Sequence, residues 1–141
     1  MIDQIQDLIR RNSQCVLATS ADNRPHCSLM AYAVDDACRE IYLVTHKNTR
    51  KYRNLTQNPH VSLLIDSRGL AGKDIQALTV EGRFCQIPDP DKRRRVRAAL
   101  IGAHPHLEEF ISHSDAELLC ITVSSFLLLN DLTDAHFISV S

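Results

Sequence analysis

The sequence predicts a mainly β protein with flanking helices: an antiparallel sheet of six to seven strands in a single domain over residues 1–141. Three observations predict it. Short runs of alternating or β-branched apolar residues recur at Cys15–Ser20, His26–Val34, Ile41–Val44, Val61–Asp66, Ile75–Ile87, Glu117–Asn130 and Asp134–Val140. Several of these are joined by short polar turns such as Ala21–Arg24 and Asp35-Asp36, as in an antiparallel meander. Helical spacing is confined to the N-terminus, to one segment after the third strand, and to a stretch after the fifth.

Composition narrows the function classes. A chain of 141 residues buries roughly two thirds of its unfolded surface as one domain. A formal net charge of −1 provides no global field to draw it to nucleic acid or an anionic membrane. No apolar run approaches the ~20 residues of a membrane-spanning helix. The N-terminal MIDQIQDLIRR is amphipathic and lacks a signal-peptide apolar core. The five cysteines (Cys15, Cys27, Cys38, Cys85, Cys120) are widely spread with no CxxC pair. That predicts reduced thiols in a cytoplasmic protein, and neither a disulfide frame nor a structural zinc site.

In chain order, Ile2, Ile5, Leu8 and Ile9 form one apolar stripe of a helix that Asn12-Ser13 ends. Pro25 opens the second strand, where a missing N–H costs least. That strand puts Cys27, Leu29, Ala31 and Ala33 on one face, with Ser28, Met30, Tyr32 and Val34 on the other. In the fifth, Gln76, Leu78, Val80, Gly82 and Phe84 share a face. Gly82 is expected to mark a bulge or bend of the kind barrel closure needs. Asp89 and Pro90 read as cap and first residue of a helix. This helix carries Lys92, Arg93, Arg94, Arg95 and Arg97 over a stripe of Val96, Ala99, Leu100 and Ala103. With no aromatic interleaving, the basic cluster reads as a solvated face rather than a nucleic-acid surface. Leu107, Phe110 and Ile111 indicate a second short helix. His104, His106 and His113 are not fixed on one face, so no metal site is expected. Glu117–Asn130 is largely apolar on both faces, which requires cover on both sides: a barrel interior on one, helices or a second subunit on the other.

The stretch Ile41–Pro59 carries the most chemistry. A strand feeds a polar turn and then a basic helix, with Asn48 as the expected N-cap and Asn58-Pro59 as the stop. Free N–H groups at the helix start, the Thr49 hydroxyl, the Arg50 fork and the Lys51 ammonium together suit a phosphomonoester. The bland alternative is a solvated basic helix start.

Ordered along the chain, VLATS (Val16–Ser20), RPHCSLMAY (Arg24–Tyr32), IYLVT (Ile41–Thr45), TRK (Thr49–Lys51), Asn54-Leu55 and NPHVSLLID (Asn58–Asp66) resemble the FMN-binding split barrels of the pyridoxamine 5'-phosphate oxidase-like superfamily. The resemblance implies a split β-barrel homodimer with FMN at the subunit interface. Arg50, Lys51 and Thr49 would hold its phosphate. Val44 and Thr45 would lie along the ribityl chain and ring. His26, Cys27 and Ser28 would stand beside the ring, and Gln76 near its polar edge. For Cys27 the alternative is a small residue packed toward the barrel; for Gln76 it is an exposed strand start.

The last third (HPHLEEF, AELLCITV, AHFI) resembles the haem-utilisation branch, with Asp131-Leu132-Thr133 where that branch carries Gly-Phe-Gly. His136 is therefore either an axial haem ligand or a surface histidine. True pyridoxamine phosphate oxidases carry a basic residue where this chain has Ala31, and a C-terminal arginine-bearing segment that is absent here. Oxidation of pyridoxamine phosphate itself is therefore not expected. The resulting expectation is an FMN-dependent oxidoreductase acting on a small molecule. Its alternatives are a haem-binding protein on the same barrel and a non-catalytic flavin carrier or sensor. Catalytic side chains cannot be assigned from these residues, as fits a reaction carried by the cofactor.

Overall fold

The computed structural model describes residues 1–68 and 74–140. The loop expected over Ser67–Asp74 is described only at its two ends, and Gly69 and Gly72 lie outside the described residues. Eight strands form one antiparallel sheet: β1 (Gln14–Ala21), β2 (Arg24–Ala31), β3 (Ala33–Val34), β4 (Glu40–His46), β5 (His60–Asp66), β6 (Gln76–Cys85), β7 (Ala116–Asn130) and β8 (Asp134–Ser139). Their order is β2-β1-β5-β6-β7-β4-β3, with β8 on the free stretch of β7. The sheet curls into an antiparallel split barrel. Among the described residues four α-helices flank it: α1 (Ile2–Arg11), α2 (Arg50–Gln57), α3 (Pro90–Ala103) and α4 (Glu108–Ile111).

The connections follow from local chemistry. Asp22 and Asn23 both take positive φ (52° and 60°), so the β1–β2 hairpin closes on a two-residue primed turn that matches strand twist. β2 and β3 were expected as one strand, and Tyr32 separates them. Its N–H still donates to the Ser13 carbonyl opposite (3.2 Å), its own carbonyl accepts from His104 Nε2 (2.8 Å), and from Ala33 on the chain pairs with β4 instead of β1. β6 is shorter than the Ile75–Ile87 expected. Ile75 is taken up by main-chain contact with Asp131, and Ile87 turns into the helix-covered core.

β7 is the long central strand. Its first half pairs with β4 and its second half with β8, while β6 runs along its other edge from Cys120 to Asn130. Between Glu81 and Gly82 the β6–β7 register shifts, skipping Ser124, whose hydroxyl donates to the Glu81 carbonyl (3.0 Å). The bulge expected at Gly82 is therefore present, and it falls where β7 changes partner.

There are two cores. The barrel interior holds Leu17, Leu43, Leu63, Val80, Leu119, Ile121 and Phe126, plugged by Ile5, Leu8 and Ile9 of α1. Outside the barrel, Tyr42, Val44, Leu118 and Cys120 meet Val96, Leu100 and Ile111 of α3 and α4. The second apolar face of early β7 is thus covered by helices. The α3 stripe is narrower than expected. Val96 and Leu100 are buried, whereas Ala99 and Ala103 are exposed, because the helix touches the sheet along a single ridge. Asp89 caps α3 through the Asp91 amide, with Pro90 first in the helix, as read from sequence.

A methyl group at Gly82 would sit 2.7 Å from Ile121 Cγ2 and 2.8 Å from the Thr122 carbonyl oxygen. Gly82→Ala is expected to destabilise the fold by about 1–3 kcal/mol, since one of the two obstacles is backbone. Urea unfolding measures this, and a neutral result would contradict the close β6–β7 approach.

Candidate functional site

The turn between β4 and α2 is fixed from its amino-terminal side. His46 stacks on Phe110 (ring centroids 4.1 Å apart) and on His113 (4.7 Å). Its Nε2–H donates to the Phe110 carbonyl (3.3 Å). The Lys47 amide donates to Asp115 O (3.0 Å), and Lys47 Nζ lies 3.7 Å from Glu117. The Asn48 amide reaches the Asp115 carboxylate at 3.4 Å.

The N-cap is Thr49, not Asn48. Thr49 is extended (φ −136°) and its Oγ1 accepts from the Tyr52 amide at 3.3 Å. The Asn48 amide is already turned toward Asp115, which leaves the capping position one residue later. Thr49 Oγ1 also donates to the His46 carbonyl (2.9 Å) and lies 3.3 Å from Thr45 Oγ1. The Thr49 hydroxyl proton is therefore committed to holding the turn.

Arg50 and Lys51 become the first two helical residues. Their amides point out of the helix start without an intrahelical acceptor. The first turn of α2 contains no acidic residue, and among the described residues neither Arg50 nor Lys51 has a carboxylate partner. Of the five basic residues of α3, three are paired with carboxylates, and Arg95 and Arg97 have no such partner among the described residues. Lys92 pairs with Glu40 (3.0 Å), Arg93 with Glu117 (3.6 Å) and Arg94 with Asp91. Two clusters that look alike in sequence thus differ in how far their charge is already neutralised.

The other expected site residues are spread out. Thr45 is buried at the end of β4, within reach of Thr49. Val44 is buried in the helix-covered core and faces no open surface. His26 and Ser28 are half-buried on the inward-facing side of β2. His26 lies opposite Thr19, whose hydroxyl accepts from Asn54 Nδ2 of α2 (3.1 Å). The barrel end carrying His26 is therefore roofed by the helix that displays Arg50 and Lys51. Cys27 is exposed and faces outward, correcting the alternative that packs it toward the barrel; Ser28 and Met30 take the inner face. Gln76 is half-buried at the opposite end of β6, its Nε2 donating to Asn130 Oδ1 (3.1 Å). It is six residues from Gly82, roughly 20 Å along the strand, so one protomer does not bring it to the Arg50–Lys51 turn.

Sequence reasoning did not find the His46–Phe110–His113 stack or the burial of His104. His104 caps α3 and donates from Nε2 to Tyr32. Of the three histidines weighed for a metal and set aside, His104 and His113 thus serve separate structural contacts. The thiols divide as well. Burial pushes Cys15 and Cys120 up to about 12, which keeps both protonated near neutral pH and unreactive. His136 is half-buried on β8, with Nε2 donating to Asp134 (3.0 Å).

A family model described as Pyridoxamine 5'-phosphate oxidase matches residues 1–130. The chain belongs to the pyridoxamine 5'-phosphate oxidase family. Solved structures with the same fold include a heme binding protein from Mycobacterium smegmatis, at 18% identity and a TM-score of 0.87 over 98% of this chain and 57% of that one. HutZ, the heme storage protein from Vibrio cholerae, matches at 18% identity and TM-score 0.72, covering 86% of this chain and 88% of its own. A FAD-binding protein from Mesorhizobium loti matches at 18% identity and TM-score 0.75, covering 90% and 92%. This chain therefore spans little more than half the length of the mycobacterial protein. Comparison with curated protein sequences returns no match. Fold relatives thus include both haem and flavin binders, and the fold by itself does not choose between them.

Within this family fold, Thr49 is the residue on which the turn's shape depends. Thr49→Ala is expected to cost about 1 kcal/mol through loss of the cap, and Thr49→Ser to retain most of the stability. Urea denaturation of the two variants checks this, with equal losses counting against the capping role.

Proposed function

We propose that this protein is an FMN-binding flavoprotein, working as a homodimer, in which the start of α2 holds the flavin phosphate. The observation that carries the reading is the Thr49-capped turn. It presents two adjacent helix-start amides and two cations without ionic partners among the described residues. A phosphomonoester meets that demand, through charge-assisted bonds from Arg50 and Lys51 and the positive end of the helix. Thr49 acts by shaping the turn. His26 and Ser28 lie at the barrel end beneath α2, consistent with a place beside the bound ring. When bound, the isoalloxazine supplies electron or hydride transfer to a small molecule, and the chain supplies binding and orientation.

The dimer reading is supported by the outer face of the sheet. Leu29, Val16, Leu64, Thr79, Leu127 and Phe137 stand in register as one row across β2, β1, β5, β6, β7 and β8. Leu29 is 70% exposed and Phe137 67% in the single chain. A largely apolar row this wide is what a second copy would cover. A symmetric partner also supplies a route for Gln76 to reach a flavin: the Gln76 of one copy would serve the phosphate turn of the other. Leu29→Glu combined with Phe137→Glu is expected to convert a dimer to a monomer, as read by light scattering after size exclusion. A wild-type monomer at micromolar concentration would reject the homodimer.

A haem-binding reading draws on the names of the fold relatives. In it His136, whose Nε2 is held by Asp134, would have Nδ1 left for the iron. The absorption spectrum of the purified protein distinguishes a flavin from a haem chromophore. Arg50→Ala with Lys51→Ala is expected to weaken FMN binding strongly, each charge-assisted bond contributing about 1.5–3 kcal/mol. Arg94→Ala with Arg95→Ala should change it little. Fluorescence titration of FMN compares the two double variants, and equal losses would overturn the assignment of the phosphate to α2.

A further inference from the structure

The helix-covered side of the molecule contains a hollow of about 320 Å³ between α3, α4 and the start of β7. Its walls include Ile111, Ala116 and Leu118, which are apolar, with Arg93, Arg97 and Ser112 among the polar groups around them. That volume falls within the range of small-molecule sites. Arg93 and Arg97 stand one helical turn apart on α3, so a single helix face delivers both guanidinium groups.

Their charge is unevenly satisfied. Arg94 pairs with Asp91 beside it on α3. Arg93 lies 3.6 Å from Glu117, which Lys47 also approaches at 3.7 Å. Both distances exceed the 2.7–2.9 Å usual for a charge-assisted bond. Arg97 donates to Ser112 Oγ at 2.6 Å and has no carboxylate partner among the described residues. The Asp115 carboxylate, three residues beyond Ser112, faces the Asn48 amide. Among the described residues, Arg97 is thus a lining cation without a carboxylate, beside an apolar wall.

The geometry points to a second binding site, separate from the flavin turn, for a small organic carboxylate with an apolar body. The carboxylate would lie on Arg97 and Arg93, and the body over Ile111, Ala116 and Leu118. The planar guanidinium fork matches a carboxylate in two parallel bonds, and Arg97 can make them without displacing Glu117. The apolar wall favours a body larger than a methyl group. This inference does not rest on the flavin reading, because it uses a different helix and different cations.

Benzoate is the probe, with acetate for comparison, titrated into the full chain by calorimetry at constant ionic strength. Saturable benzoate binding is expected, tighter than acetate. Arg97→Gln should weaken it about tenfold or more, as loss of a charge-assisted contact does. Arg95→Gln, an exposed position on the same helix outside the hollow, should leave it unchanged, as should the Arg50→Ala, Lys51→Ala pair. The exposed positions of Arg95 and Arg97 make both variants compatible with folding, which thermal melts confirm. The site is disproved by benzoate showing no saturable binding, by equal losses from Arg95→Gln and Arg97→Gln, or by loss of binding only in the Arg50, Lys51 variant. Equal affinity for acetate and benzoate would overturn the apolar half of the site.

Discussion

The close approach of β6 and β7 at Gly82 is the constraint on which the rest of the structure depends. With no side chain on β6 at that point, Ile121 and the Thr122 carbonyl come within 3 Å of where a Cβ would be. The extra residue Ser124 is absorbed opposite, and β7 bends. This bend lets one strand serve two sheets' worth of neighbours, β4 before it and β8 after it. Placement of β4 sets the turn that follows it, and hence the direction in which α2 starts. The candidate phosphate turn is thus positioned by a glycine more than thirty residues away in sequence.

The same arrangement separates two kinds of basic helix. α2 follows a turn at which Asp115 and Glu117 are engaged by Asn48, Lys47 and Arg93, and among the described residues Arg50 and Lys51 keep their charge available. α3 packs along β4 and β7, whose Glu40 and Glu117 accept Lys92 and Arg93. Charge that is paired across a packing interface contributes to docking the helix, while unpaired charge on a fixed turn is available to a ligand. Surface pairs contribute little individually, so the distinction concerns availability more than stability.

Much of this was legible in the chain because the deciding interactions are local. The Asp89-Pro90 helix start, the Asp22-Asn23 hairpin, the α1 stripe and the Gly82 bulge each depend on a few neighbouring residues. What escaped sequence reading depends on distant partners. Asn48 and Thr49 are both good caps, and only the contact of Asn48 with Asp115 decides between them. Alternation divided β2 into two faces without saying which turns inward; Leu29 looks like core and is exposed, while Ser28 takes the inner side. The stacking of His46 with Phe110 and His113 joins segments more than sixty residues apart, and no spacing rule signals it. Gln76 shares a strand face with the core, but its distance from α2 within one protomer appears only when the register is known.

Tyr32 has a consequence for how the molecule comes apart. Its phenol donates to the Ile9 carbonyl of the plugging helix, its amide donates to Ser13, and its carbonyl receives His104 at the end of α3. One buried ring thus rivets the N-terminal plug, the seam between β2 and β3, and the outer helical layer to a common point. None of the three can loosen without stranding a polar atom in the interior, at a cost of about 1–3 kcal/mol each. Layers that would otherwise peel away one after another are bound into a single cooperative unit, whose amides should exchange with solvent together rather than in sequence.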